Sequence, residues 1–302
     1  MAIERRRITG TAAACCALLL GGIGAAQAEP AVWVVQDADS TIYLLGTVHM
    51  LRPATEWKTP AVKQLVADST ELWLEFAEEP DPARVAPLVQ AMAFDPERPL
   101  SSTLTEEQFA KLAAVAGKYG LQPGQLEPMK PWFVAMTLAV LPMQLAGLDP
   151  ASGVDHRLRL AAVEDGDAIR GFETMEQQLG FLDGLPERVQ LDMLLQTLED
   201  DADAIARLDR AAEAWARGDL EVLDRELLAD MRREHPELYA RLLTDRNAAW
   251  AKAIEDLLEG AGTHLVAVGA GHLVGPGSVQ EQLKARGIDS TPRGSGSGAT
   301  AR

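Results

Sequence analysis

Two stretches of one design stand near the two ends of this 302-residue chain. Apolar, β-prone residues 41–45 run into Gly46-Thr47-Val48-His49, and residues 263–268 run into Gly269-Ala270-Gly271-His272. Each puts glycine where a strand stops and a histidine three residues on. Glycine lets the backbone turn tightly and lets a neighbour approach closely. In α/β sheets, ligands collect outside the carboxyl ends of strands. If both histidines serve one crevice, strands about 220 residues apart must lie side by side. The expected fold is therefore α/β: a mixed, short-stranded sheet with a large helical region inserted between its N-terminal and C-terminal strands.

The rest of the pattern suits that reading. Residues 31–35 and 41–45 flank Gln36-Asp37-Ala38-Asp39-Ser40, which is turn chemistry, and predict a hairpin. Residues 60–68 predict a helix that opens on Pro60, and residues 72–76 a strand. Thr105 with Gln108 forms a capping box for a helix ending near Tyr119-Gly120. Residues 131–145 read as an apolar helix too short to span a membrane. A strand over 169–172, ending at Glu173, precedes helices over 175–182 and 188–198. One charged helix is expected over 200–217 and another periodic one over 236–258. A final helix covers 279–285.

Residues 1–28 are set apart. Arg5-Arg6-Arg7, an apolar run centred on Leu18-Leu19-Leu20, and Ala26-Gln27-Ala28 form the three-part pattern of a cleaved signal peptide. An uncleaved anchor, or lipidation at Cys15 or Cys16, are the other readings of this segment. The expected organisation is a signal peptide over 1–28, one domain over 29–290 and a disordered tail over 291–302, in a secreted, periplasmic protein with no stable membrane anchor after cleavage. Both cysteines fall in 1–28, so disulfides, Cys-ligated zinc and a Cys nucleophile are excluded from the mature chain. The whole chain carries −17, and the mature part −19. Duplex binding needs a basic footprint, so no nucleic-acid partner is expected.

His49, His272 and one carboxylate would make a His₂-carboxylate site for a divalent ion such as Zn, Mn or Co. Glu75 is the natural carboxylate, because it stands among Leu72-Trp73-Leu74 and Phe76, where an unpaired acid is costly. Arg246 either orients a carboxylate or binds a substrate bidentately; the competing reading is a surface ion pair with Asp245 or Glu255. Glu173 is a second acid or a neighbour of a helix cap. His264 reads as structural, His235 as solvated, and His156 is open between the two roles. No Walker loop, His-Glu-x-x-His, Gly-x-Ser-x-Gly or complete dinucleotide fingerprint is present.

Tyr43-Leu44-Leu45-Gly46-Thr47-Val48-His49 followed by Glu75 resembles the opening of the TraB/GumN (PrgY, Tiki-related) family. Lys130-Pro131-Trp132, Gly153-Val154-Asp155 and Phe172-Glu173-Thr174 with Gln178 resemble its middle, and Arg246-Asn247 with Val268-Gly269-Ala270-Gly271-His272-Leu273 and Gly275 its end. The resemblance implies a fold like that of erythromycin-esterase and ChaN-like proteins. Through the animal members, it also implies a metal-dependent peptidase with His49, His272 and Glu75 at the site. On that reading the two histidines hold a divalent metal, Glu75 is a ligand or general base, and Arg246 stabilises an oxyanion or holds Glu75. The substrate is a peptide or small molecule. A metal-independent esterase-type hydrolase, with a His as base on water, and a non-catalytic peptide- or haem-binding protein are the alternatives.

Overall fold

The computed structural model describes residues 29–79 and 81–293. The expected signal peptide, with both cysteines, and residues 294–302 lie outside the described residues. Six strands form one sheet: β1 (Val32–Gln36), β2 (Ser40–Thr47), β3 (Glu71–Phe76), β4 (Ala168–Glu173), β5 (Gly262–Gly269) and β6 (Thr291–Pro292), in the order β4-β3-β5-β2-β1-β6. β1 and β2 form the expected hairpin, with Val35 opposite Ile42. β5 lies parallel between β3 and β2 and sets Thr47 beside Gly269. β4 adds in parallel outside β3. Four neighbouring strands thus end at one edge, and both Gly-x-x-His turns leave from it.

The sheet is mixed, and helices are inserted as expected. α1 (Pro60–Asp68) links β2 to β3. α2 (Pro82–Ala93), α3 (Glu106–Lys118), α4 (Pro123–Leu126), α5 (Pro131–Leu145) and α6 (Val154–Asp165) lie between β3 and β4. Between β4 and β5 run α7 (Met175–Asp183), α8 (Glu187–Asp200), α9 (Ala204–Ala216), α10 (Leu220–Leu227), α11 (Ala229–Glu234), α12 (Pro236–Tyr239), a π-helical segment (Ala240–Thr244) and α13 (Asp245–Leu258). A 3₁₀ turn (Ala270–Leu273) and α14 (Val279–Ala285) follow β5.

Alternate residues of the central strands feed two different cores, because successive side chains point to opposite faces. Leu45, Leu74 and Ala267 pack with Leu65 of α1, Leu158 of α6 and Trp215 of α9. Leu44, Val266 and Val268 pack with Trp250 and Ile254 of α13 and Leu283 of α14. Burial on both faces explains why these strands read as unbroken apolar runs. A third cluster joins α3, α4, α5 and α8 away from the sheet. Lys130 and Trp132, at the start of α5, both donate to Asp183 at the end of α7, at 2.6 and 3.2 Å.

Three expectations are corrected. The charged helix expected over 200–217 is present but starts later: α8 runs through Asp200, a turn follows, and α9 covers Ala204–Ala216. Asp201 caps α8 with helical backbone angles, and Lys118 and the Tyr119 hydroxyl both donate to its carboxylate. The helix expected over 236–258 starts as expected but passes through the π-helical segment. Thr291 and Pro292, within the stretch expected as tail, pair with Val34 and Trp33 of β1.

Candidate functional site

Glu75 is next to last in β3 and is buried. One carboxylate oxygen, Oε1, accepts from the Gly269 backbone N–H at 2.8 Å. The other, Oε2, accepts from Arg246 Nη2 at 2.7 Å and Gln178 Nε2 at 3.1 Å. Burial by itself would raise its pKa, but the surrounding positive groups and the Gly269 N–H outweigh it and hold the carboxyl below its ordinary value. Gly269 has no room for a side chain: a Cβ there would stand 2.9 Å from Glu75 Oε1 and 3.5 Å from His49 Nε2.

His272 leaves the end of β5 in the 3₁₀ turn and is buried against Trp250, ring centroids 4.3 Å apart. Its tautomer follows from its partners. Asn247 donates its Nδ2 to the Gly277 carbonyl at 2.8 Å, so its Oδ1 faces His272 Nδ1 at 2.5 Å. Nδ1 therefore carries the proton, and Nε2 presents a lone pair to Arg246 Nη1 at 3.2 Å. Burial, reinforced by the Arg246 charge, pushes the imidazole pKa down to about 3 against the pull of Glu75, so the ring is neutral. A neutral His272 leaves the charge work on Glu75 to Arg246 and His49.

His49 has the opposite character. Its Nδ1 pairs with Asp155 Oδ2 at 2.8 Å, and Asp155 Oδ1 accepts from the Thr47 hydroxyl at 2.7 Å. Its side chain is 62% exposed. Burial would lower its pKa, but the Asp155 hydrogen bond and the charges of Asp155 and Glu75 raise it to about 9. Its Nε2 lies 3.9 Å from Glu75 Oε1, as does His272 Nε2. The start of α6 presses on this loop: a Cβ at Gly153 would stand 2.2 Å from the His49 carbonyl oxygen.

Arg246 ties the group together from the first turn of α13. It forks onto Glu173 through Nε and Nη2, both at 2.8 Å, while Nη2 also meets Glu75. Its Nη1 donates to the Leu242 carbonyl at 3.1 Å. The guanidinium carbon lies 4.8 Å from the Trp250 ring centre and 5.3 Å from that of Phe181. Trp250 Nε1 donates to Glu173 Oε1 at 3.0 Å. Glu173 is thus a working member of the cluster.

A family model described as the TraB/PrgY/gumN family matches residues 31–292. The chain belongs to the TraB/PrgY/gumN family. It is 25% identical over 257 residues to the uncharacterized protein YbaP of Escherichia coli (strain K12), covering 84% of this chain and 92% of that relative. The YbaP of Shigella flexneri matches with the same identity and coverage. No solved structure matches the chain.

In this TraB/PrgY/gumN chain the structure brings His49, Glu75, His272 and Arg246 into one cluster. Arg246 makes none of the surface pairs weighed for it: Glu255 pairs with Arg286 instead. His264 lies at the other end of the sheet, 2.9 Å from Glu71. His156 is half-buried beside Asp155. His235, expected to be solvated, is partly buried, and its Nε2 is enclosed with no hydrogen-bond partner. Asp155, Asn247 and Gln178 sit in sequence segments that carry the family likeness, but spacing gave them no role. Trp250 carried no signal beyond helical periodicity.

The donor types suit a divalent ion; their spacing is wider than that of a formed tetrahedral site. Among the described residues, no group of three or more His, Cys, Asp or Glu is placed to hold a metal ion. Ligands sharing one tetrahedral ion at about 2.1 Å stand roughly 3.4 Å apart, whereas each histidine nitrogen is 3.9 Å from Glu75. The Arg246 guanidinium meets the His272 lone pair and one Glu75 oxygen, so the positive charge beside these groups is a side chain.

Proposed function

We propose that the protein is a hydrolase of acyl bonds, with a peptide or small-molecule substrate, in which His49 is the general base. The observation that carries this reading is the His49–Asp155 hydrogen bond, which leaves Nε2 facing Glu75 Oε1 on the open side of the site. A carboxylate on Nδ1 fixes the ring and stabilises the imidazolium that forms when Nε2 takes a proton. A water oriented by Glu75 Oε1 loses its proton to His49 Nε2 while its oxygen bonds the acyl carbon. His49 then returns the proton to the leaving group as the acyl bond breaks. Arg246, with its donors already engaged by Glu173, Glu75, Leu242 and His272, is a positioning residue rather than an oxyanion donor. A cavity of about 430 Å³ lies next to the ends of β3 and β4, lined by Phe76 and Thr174 with the acidic Glu78, Glu79, Asp81 and Glu176; the side chains of the cluster do not line it.

The metal-dependent reading is supported by one feature: the His272 tautomer presents an unprotonated Nε2 to the site, as a ligand requires. It asks Arg246 to leave that nitrogen and His49 to lose its proton. The likeness to erythromycin-esterase and ChaN-like folds belongs with the base reading and rests on the family resemblance.

One experiment separates the two. The purified mature protein is assayed on chromogenic acyl esters and a peptide library, with and without a chelator. Turnover that survives the chelator and falls about 10²–10⁴-fold in His49→Asn is the expected result. Turnover lost in chelator and restored by Zn, Mn or Co installs the metal reading instead. A protein that binds these compounds without turning them over is a binding protein.

A further inference from the structure

The chain is strongly acidic, yet one cleft is basic. A cavity of about 370 Å³ is lined by Arg52, Lys58, Lys63 and Arg157, with Trp57 and Ser152 in its wall. Arg52 is neutralised, because it forks onto Asp209. Among the described residues, Lys58, Lys63 and Arg157 form no ion pair, and Glu56 is the carboxylate in the lining. The cations feel one another: burial and the charges of Arg157 and Lys63 lower the Lys58 pKa, with Glu164 opposing. Ser152 is only 6% exposed, and its hydroxyl makes no hydrogen bond among the described residues. A hydroxyl that is not enclosed and makes no hydrogen bond among the described residues, beside three cations with no carboxylate in ion-pair range, is a set of donors open to an acceptor.

A second cavity shares this wall. It measures about 180 Å³, and Val62, Val66, Leu158 and Ala161 line it together with Trp57, Lys58 and Lys63. Its lining is apolar apart from the two lysines, whose stems carry their charges to the basic cleft. Oxyanion donors and an apolar recess therefore stand next to each other.

We infer that this pair of cavities binds an amphiphilic anion: a carboxylate or phosphate on Lys63, Arg157 and Ser152, with an attached apolar group in the recess lined by Val66 and Ala161. The terminal residue of a peptide, with an aliphatic side chain and a free carboxylate, has this chemistry; so does an apolar phosphate monoester. The cavities adjoin the His49 loop through Ser152-Gly153 and Arg52. The inference stands on their own lining, whether or not His49 is a catalytic base.

Calorimetric titration of the purified protein at low salt tests it, since exposed charges are screened as salt rises. The probes are N-acetylleucine, its neutral amide, acetate and phenyl phosphate. N-acetylleucine or phenyl phosphate should bind about tenfold or more tighter than both the amide and acetate. The stronger of these two names the oxyanion. Lys63→Gln with Arg157→Gln should weaken the preferred probe about tenfold, and Ala161→Leu should fill the recess and weaken it without changing acetate binding. Lys252→Gln, on the exposed face of α13, should change nothing. All three variants lie at exposed or half-exposed positions, and far-UV circular dichroism confirms that each is folded. No binding of either anion, amide binding equal to the acid, or an undiminished affinity in the double variant would overturn the inference. None of these readouts requires turnover, so a failure here and a failure of the hydrolase reading are told apart.

Discussion

The two histidines of the Gly-x-x-His turns are alike in sequence and unlike in chemistry, and the difference lies in what each Nδ1 touches. A neutral amide oxygen on His272 Nδ1 fixes a tautomer without stabilising a charge. A carboxylate on His49 Nδ1 does both. Asp155→Asn should therefore bring the His49 pKa down from about 9 toward or below its ordinary value of about 6.5. Nuclear magnetic resonance titration of the imidazole measures this directly. A pKa that stays near 9 in Asp155→Asn would show that Glu75, not Asp155, holds the proton. Arg246 offers a second test at this scale. Lysine keeps the charge but cannot fork onto Glu173 and reach Glu75 as well. Arg246→Lys should remain folded by circular dichroism, melt several degrees lower because two buried carboxylates lose donors, and lose most of its hydrolytic rate. Wild-type activity in that variant would remove Arg246 from the positioning role.

At the scale of elements, the π-helical segment Ala240–Thr244 decides where Arg246 points. A π turn inserts one residue into an α-helical path and offsets everything beyond it by about 100°. The offset comes just before Arg246, whose Nη1 bonds the Leu242 carbonyl inside the segment. Deleting Arg241 should let the stretch close into a regular α-helix and swing position 246 away from Glu75 and Glu173. The expected outcome is unchanged helix content with the activity lost; retained activity would show that the π turn is incidental. This element also marks the limit of what sequence pattern could convey. Periodicity over 236–258 reports an apolar face, and one extra residue leaves that face nearly intact, so the helix was legible and its defect was not. The adjacency of β2 and β5 was legible, because two glycine-ended strands needed a common crevice. Glu75 was legible as an acid in an apolar strand. Asp155 and Asn247 were not, since each acts only through a histidine more than 20 residues away in sequence. The partners of Asp201 were hidden for the same reason: Lys118 and Tyr119, which donate to its carboxylate, come from the end of α3 and its cap.

On the scale of the whole molecule, the site couples folding to pH from both sides. His272 is held at about 3, far below its unfolded value of about 6.5. As pH falls below 6.5 the unfolded chain takes up a proton that the folded chain refuses, and stability is lost progressively toward pH 3. His49, raised to about 9, acts in the opposite sense. Its ion pair with Asp155 contributes fully below about pH 6.5 and fades as pH rises through 9; because the side chain is well exposed, solvent screening makes this the shallower limb. Glu75, held below its ordinary value, adds to the acid limb. The melting temperature should therefore peak near pH 6.5 and fall more steeply toward acid than toward alkali. The net charge works the other way on the acid side, since a sequence pI of about 4.7 means that self-repulsion is least there. A maximum near pH 6.5 rather than near 4.7 would thus show that the buried cluster, not the surface charge, sets the profile. Replacing His49 by Asn should flatten the alkaline limb and make the acid limb somewhat shallower, since the His49 charge also helps to hold down Glu75 and His272. On the proposed base mechanism the same titration governs the rate: a base with a pKa near 9 is mostly protonated at neutral pH, so kcat/KM should climb toward pH 9 while the fold weakens. A rate that instead falls over this range would mean that His49 works as the acid, and would reverse its assigned role.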